Sequence, residues 1–527
     1  MTVLTDDRRH SSAREKRLTG KVKVLDPLST AEEARQNLGL TLDPARRRTF
    51  GQFFTPAATA RLMASLSTLS PQRVRLLDAG AGVGSLTAAW IAEICARPVH
   101  PKEVVLTAYE LDETLIPALR KTLMACEQAC ATVGIRCTWR IQATDFIEAA
   151  VNDLDGGLFQ TEHSVFDIAL LNPPYRKFRA ESRTRQLLRR LGIETSNLYT
   201  AFLALGVLLL EDGGELITIT PRSFCNGSYF RPFRQHLLRH TNLTRLHVFE
   251  SRTQAFRDDE VLQENVILRA VKGVPQQPLT CISQSRTPEE PIAMQRHVPF
   301  ARVVHPGDSQ AFIHLVPDDE GQVLAETMEM LPCTLGELGL YVSTGRVVDF
   351  RARQWLCAEP TPGAVPLIYP THFDHGLVRW PKTGTKKPNA IVHSTDSAPL
   401  MVPAGVYVLV RRFSAKEEHR RIVAAVFDPA TVPCEVVGFE NHLNYFHESG
   451  TPLDRTLAWG LSAFLNSSAL DTYFRQFNGH TQVNATDLRS LRYPKRDTLL
   501  ALGCRVQGEL PTQEDLDRLV AKVCKVR

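Results

Sequence analysis

Short apolar runs separated by polar, glycine-bearing turns fill the first half of the chain. Phe166-Asp167-Ile168-Ala169-Leu170-Leu171 is a nearly continuous apolar stretch of strand length, as a parallel strand buried on both faces requires. Arg75-Leu76-Leu77-Asp78-Ala79 and Val104-Val105-Leu106-Thr107-Ala108-Tyr109 read the same way, and Thr138 to Gln142 and Gly214 to Pro221 supply two more. Ser85 to Ile91 has the character of a helix, and Ala31 to Leu38 forms a helical lead-in. Strands alternating with helices from Val74 to about Val271 predict an α/β fold, a parallel sheet with helices on both faces.

The pattern then changes. Prolines between Val274 and Pro291 interrupt it, and from about residue 292 to 495 short strand-like runs are separated by Gly, Pro and Asn. The expected organisation is a disordered terminus at 1–20, a catalytic half at 21–275, an irregular mixed α+β half at 276–495 and a helical tail at 496–527. At 527 residues and 43% hydrophobic content the chain exceeds one usual domain, which agrees.

Chemistry concentrates at strand ends. Asn172-Pro173-Pro174-Tyr175 follows the apolar run directly, and its two prolines stop the ladder and stiffen the exit. An exocyclic amine on an aromatic ring is a poor nucleophile because its lone pair is delocalised. Acceptors fixed around its hydrogens, the Asn172 side-chain oxygen and the Pro173 carbonyl, favour a pyramidal nitrogen with a localised lone pair. Tyr175 offers a flat face for a planar base. Asp78-Ala79-Gly80-Ala81-Gly82-Val83-Gly84 ends another strand, and its glycines let backbone approach a ligand. Ser85 stands where a dinucleotide fingerprint wants a third glycine, which favours a nucleoside without phosphates. Glu110 closes the next strand, placed for ribose hydroxyls, and Asp145 with Phe146 closes the third, placed for an adenine amine and ring.

Together these motifs resemble the S-adenosylmethionine-dependent amino-methyltransferases of DNA in the gamma (TaqI-like) order, the adenine-N6 enzymes of type II restriction-modification systems. The resemblance covers roughly residues 45 to 270. It implies a seven-stranded Rossmann-like sheet, S-adenosyl-L-methionine as cofactor, and Phe53, Phe54, Thr55 and Pro56 near the methionine moiety, with Asp78, Gly80, Gly82, Glu110, Asp145 and Phe146 completing the cofactor site. It also implies that Phe256 stacks on the far face of a flipped base opposite Tyr175. The later half corresponds to a target-recognition domain, the substrate is double-stranded DNA, and a cognate restriction endonuclease is the expected partner of a monomer. Within the family Asn at the first loop position favours adenine, whereas Ser is usual for cytosine N4. Enzymes that methylate a protein glutamine amide share the loop but lack a long recognition half. A non-catalytic specificity subunit is the third alternative.

Charge neither adds to nor contradicts this. A net charge of +5 gives no global attraction for nucleic acid, so a footprint has to be local. Arg176, Lys177, Arg179, Arg183, Arg185, Arg189 and Arg190 follow the Asn-Pro-Pro-Tyr loop with only Glu181 among them. Such arginines neutralise and position phosphates. In the later half the candidate contacts are Arg346, Arg351, Lys382, Lys386, Lys387, Arg411, Arg412 and Lys416. Eleven scattered cysteines argue against a disulfide framework, and no Cys or His pair completes a zinc site around Cys126, Cys130 and Cys137, so no metal is expected. Without a targeting core in Met1 to Arg17 or a membrane-length apolar run, the expected location is the cytoplasm, with no membrane partner.

Overall fold

The computed structural model describes residues 26–41, 54–69, 72–156, 164–179, 181–249, 264–316, 318–414, 418–478, 482–506 and 508–526. Nine strands form the first sheet: β1 (Arg73–Ala79), β2 (Glu103–Tyr109), β3 (Arg136–Gln142), β4 (Phe166–Leu171), β5 (Leu210–Pro221), β6 (Thr241–Phe249), β7 (Asn265–Lys272), β8 (Leu279–Ser285) and β9 (Met294–Pro299). Their order is β3-β2-β1-β4-β5-β7-β6-β8-β9. β1 to β5 run parallel, and β7 lies antiparallel between β5 and β6.

Alternation through each strand builds two cores. Leu76 and Ile168 face the layer that holds the helices Pro27–Thr41, Ala57–Ser65, Ser85–Ala96 and Ile116–Thr132. Leu77 and Ala169 face the layer that holds Phe146–Leu154, Arg183–Arg190 and Leu198–Leu209. Buried on both sides, β1 and β4 have no polar face, which is why they read as nearly continuous apolar runs, whereas the edge strand β3 keeps exposed positions.

The sheet corrects the expected seven strands to nine. Beyond the seven, β8 pairs parallel with β6 and β9 antiparallel with β8. The prolines that suggested a break, Pro275, Pro278, Pro288 and Pro291, fall in the turns flanking β8, where no ladder N–H is needed. The sheet therefore continues past residue 275 to Pro299.

The later half, expected to be irregular, holds two sheets of six and five short strands drawn from Tyr341 to His447. The helix Arg455–Leu465 packs on the six-stranded sheet and against Arg496–Gly503. Those helices touch through glycine: a Cβ on Gly460 would lie 1.8 Å from the Leu499 carbonyl oxygen, and one on Gly503 1.8 Å from that of Thr456. The helices Arg496–Gly503 and Gln513–Cys524 pack into a core, with Leu499, Leu502, Leu516 and Val520 buried. Among the described residues no helix is long and apolar enough to cross a membrane.

Candidate active site

Strand order reverses between β1 and β4, and a cavity of about 310 Å³ opens at the carboxyl ends of the strands there. β1 delivers the glycine loop, β2 Glu110, β3 Asp145 and Phe146, and β4 Asn172 and Pro174, all of which line the cavity. Phe54 and Thr55 reach it from the segment ahead of β1. Pro56 opens the helix Ala57–Ser65 instead, and Pro173 and Tyr175 are not part of the wall. Phe53 and Phe256 lie outside the described residues, as does Lys416.

The glycine loop is shaped by backbone sign. Gly80, Gly82 and Gly84 have φ of +75°, +59° and +85°, a region side chains rarely adopt. The Phe54 ring packs 3.4 Å from where a Gly82 Cβ would stand, so the aromatic and the loop make one wall. Glu110 holds that loop in place: Oε2 accepts the Gly82 N–H at 2.8 Å and Oε1 the Asp112 N–H at 2.7 Å. A carboxylate has further lone pairs, so these bonds leave capacity for ribose hydroxyls. Burial raises the pKa of Glu110, and the Asp112 and Gly82 backbone N–H groups work against that rise.

Asp78 is more strongly affected. It is buried, and burial pushes its pKa up to about 7 despite the 2.7 Å hydrogen bond from Thr87 Oγ1; the charge of Glu110 adds to the rise. Asp145 caps the helix Phe146–Leu154, with Oδ1 accepting the N–H groups of Ile147 at 2.8 Å and Glu148 at 3.1 Å. Phe146 is buried between Tyr109 and Phe202, ring centroids 5.2 and 4.9 Å away.

Asn172 is fixed from both ends. Its Nδ2 donates to Thr55 Oγ1 at 2.9 Å, and its Oδ1 accepts from the Tyr175 hydroxyl at 3.0 Å. Tyr175 is half-buried, meets Tyr199 edge-on at 6.1 Å, and lies 3.2 Å from the Ile219 carbonyl. Burial drives its phenol further from ionisation.

A nucleoside bearing a cation fits this cavity. Three carboxylates line it against one cation, Arg176, which disfavours a phosphate, and the buried Ser85 Oγ in its wall has no hydrogen-bond partner in the protein. Sequence reasoning missed Leu111, Thr184, Leu198 and Phe202 in the lining. Leu111 is 51% exposed directly after Glu110, a signal that only the fold reveals; Phe202 sits in a helix apolar throughout, where nothing singles it out.

The expected basic footprint divides. Arg183 pairs with Glu148, Arg185 and Arg189 with Glu194, and Arg190 with Asp155, so these four arginines are engaged by three acids of the same half. Arg176, Lys177 and Arg179 are exposed. In the later half Arg346, Arg351, Lys382 and Lys386 are exposed, whereas Lys387 pairs with Asp349 at 2.8 Å and Arg411 with Glu418 at 2.8 Å. Arg412 donates to the Asn441 carbonyl at 3.2 Å. One group, His305, His314 and Glu329, brings three ligand atoms within 4.8 Å. Its two imidazoles are stacked at 15°, so their in-plane lone pairs run alongside each other and do not converge on one ion.

Comparison with known proteins places the whole chain. Residues 124–256 match the Eco57I restriction-modification methylase family. Type II methyltransferase M.PstI of Providencia stuartii is 43% identical over 489 residues, 93% of this chain and 96% of that protein. Type II methyltransferase M.BsuBI of Bacillus subtilis is 45% identical over 481 residues, 90% and 93% of the two chains. In fold the chain is similar to the type IIL restriction-modification enzyme MmeI, solved in complex with DNA: TM-score 0.50 and 11% identity, over 95% of this chain and 74% of that one. With two curated relatives 43% and 45% identical to it, each matched over 90% or more of both chains, the chain belongs to the gamma-class type II restriction-modification methyltransferases.

Proposed function

We propose that this methyltransferase modifies N6 of an adenine rotated out of double-stranded DNA, at a sequence chosen by its later half, and so protects DNA from a cognate restriction endonuclease. The observation that carries the reading is the Asn172 amide, pinned between Thr55 and Tyr175 in the wall of the cavity that the cofactor loops line.

S-adenosylmethionine, when bound, supplies a methyl group on a sulfonium. Phe54 and the glycine loop would flank it, Asp78 would face its positive charge, Glu110 the ribose hydroxyls, and Asp145 and Phe146 the adenine. Asn172 orients and does not take a proton, because an amide is not a base. Its Oδ1 and the Pro173 carbonyl accept from the two hydrogens of the target amine and favour the pyramidal nitrogen that attacks. The Thr55 contact decides which amide atom is offered to the amine: with Nδ2 donating to Thr55 Oγ1, Oδ1 is the acceptor, and it also accepts from the Tyr175 hydroxyl. Tyr175 tightens the same amide and contributes ring surface to a base entering beside it.

Arg176, Lys177 and Arg179 leave the loop on the exposed side, where phosphates flanking an extruded nucleotide would pass. Arg346, Arg351 and Lys386 are the corresponding contacts of the later half, and the enzyme acts as a monomer. Expression in a host without DNA methylation, followed by sequencing that distinguishes modified bases, tests this directly. N6-methyladenine at one sequence is expected. N4-methylcytosine would redirect the assignment, and unmodified DNA would overturn it.

A further inference from the structure

The later half contains a carboxylate held wholly out of water, and both of its oxygens go to one residue. Glu440 lies between the strands Val436–Phe439 and Leu443–His447, which belong to the five- and six-stranded sheets respectively. It is 0% exposed. Oε1 meets His442 Nδ1 at 2.5 Å and Oε2 accepts the His442 backbone N–H at 2.9 Å. Burial raises the pKa of Glu440, and the hydrogen bonds and charge of His442 oppose that rise. Burying a carboxylate is costly, and it persists where its hydrogen bonds are satisfied.

His442 itself is not buried: its side chain keeps 43% exposure. With Nδ1 committed to Glu440, Nε2 is the ring nitrogen left for an outside partner, and the ring orientation is set. The turn that carries it is clamped on two sides. A Cβ on Gly345 would come within 2.1 Å of the Glu440 carbonyl oxygen, so this neighbour can only be glycine without the turn moving. The Arg412 N–H donates to the His442 carbonyl at 2.8 Å, and the exposed Phe413 ring meets the imidazole edge-on at 4.7 Å. Arg346 and Arg412, both expected on DNA from the sequence, adjoin the same turn.

We propose that His442 reads a base edge of the recognised DNA site through Nε2, with Glu440 as its positioning residue. The inference rests on the proposed role of the later half in choosing the sequence. A phosphate contact needs only positive charge, which a mobile surface Lys or Arg supplies. A ring fixed in tautomer and orientation by a buried carboxylate suits the donor and acceptor pattern that base edges present in the major groove.

The test begins by finding the site that the wild-type enzyme methylates. kcat/KM is then measured on duplexes carrying that site and each single base-pair replacement, for wild type, His442→Ala, Glu440→Gln and Glu440→Leu, with S-adenosylmethionine affinity as the check on folding. In His442→Ala, discrimination at one base-pair position should fall on the order of tenfold or more, with other positions and cofactor affinity unchanged. Glu440→Gln still accepts from Nδ1 and should keep most of that discrimination, whereas Glu440→Leu should lose it. If Glu440→Leu does not bind cofactor, His442→Ala decides alone. Unchanged discrimination at every position in His442→Ala would overturn the proposal, as would a uniform loss on all duplexes, the mark of a phosphate contact. A wild-type enzyme that methylates no DNA would instead overturn the parent reading, and this one with it.

Discussion

The Tyr175 hydroxyl donates to Asn172 Oδ1 at 3.0 Å, while Asn172 Nδ2 donates to Thr55 Oγ1 at 2.9 Å, so three residues from two distant segments set one amide plane. The three contributions differ in kind and separate by substitution. Asn172→Ala removes the acceptor itself and should lower kcat on the order of a hundredfold or more while cofactor affinity largely survives. Tyr175→Phe keeps the ring and loses only a tightening bond, so its loss should be smaller. Thr55→Val frees the amide to turn and should fall between them. Single-turnover methylation with parallel binding titrations checks the ranking; near-normal turnover by Asn172→Ala would sink the mechanism.

With Asp78 facing the cofactor as proposed, cofactor binding should depend on pH. Its folded pKa of about 7 is raised above the ordinary 3.8, so the folded protein holds this proton over that window. The group's stability contribution is therefore full below the ordinary value and lost as pH rises through about 7. A cationic ligand prefers the ionised acid, so the sign for binding is opposite: affinity for S-adenosylmethionine should increase on the order of tenfold from about pH 6 to about pH 8. Asp78→Asn should flatten that rise. Calorimetric titrations across the range check it, and a slope that persists in Asp78→Asn would assign the effect elsewhere.

Gly84 carries a structural prediction. Its φ is +85°, and an added Cβ would meet Leu119 Cδ1 at 3.0 Å and Thr122 Cγ2 at 3.1 Å. Gly84→Ala should cost about 1–3 kcal/mol of stability, from left-handed strain plus crowding at the start of the helix Ser85–Ala96. Denaturant unfolding measures this, and an unchanged midpoint would show that the loop can relax.

Ion pairing ranks the arginines of the later half. Arg346 is exposed, whereas Arg411 is held by Glu418. Arg346→Ala should weaken DNA binding, lowering the salt slope by about one unit if it meets a phosphate or relaxing one position by roughly 1–3 kcal/mol if it meets a base. Arg411→Ala should do less. Affinity measured over a range of salt separates these, and equal affinity, slope and preference in both variants would remove them from the interface.

What the sequence disclosed follows from the range of each interaction. β4 and its loop were legible because the apolar run and Asn172 to Tyr175 are contiguous, and the strand ends at Asp78, Glu110 and Asp145 follow from the same logic. The pairing of Arg190 with Asp155 or Arg183 with Glu148 joins residues 35 positions apart, so part of a run that reads as a free basic face is paired in the fold. The Asn172 to Thr55 bond spans 117 positions, and local pattern carries no trace of it. Prolines misled for a related reason: near β8 they mark turns within the sheet, and whether a proline ends a sheet or punctuates it depends on which strand lies beside it.

Base extrusion is the last prediction, and it rests on where Asn172 stands. In a duplex the adenine amine lies in the major groove with both ring faces covered by neighbours. Asn172 sits in the wall of a cavity at the carboxyl ends of β1 and β4, so a stacked base cannot bring its amine to Oδ1. Rotating the nucleotide out costs roughly a few kcal/mol of pairing and stacking, and an aromatic face returns about 1–3 kcal/mol. Tyr175 is half-buried, so it contributes part of a face, and a mispaired target that has already lost its pairing should bind more tightly. 2-Aminopurine at the target position should brighten or change its stacking environment on binding, and Tyr175→Ala should weaken the preference for a mispaired target. Equal affinity for paired and mispaired duplexes, with no spectroscopic sign of unstacking, would count against extrusion even where methylation itself is confirmed.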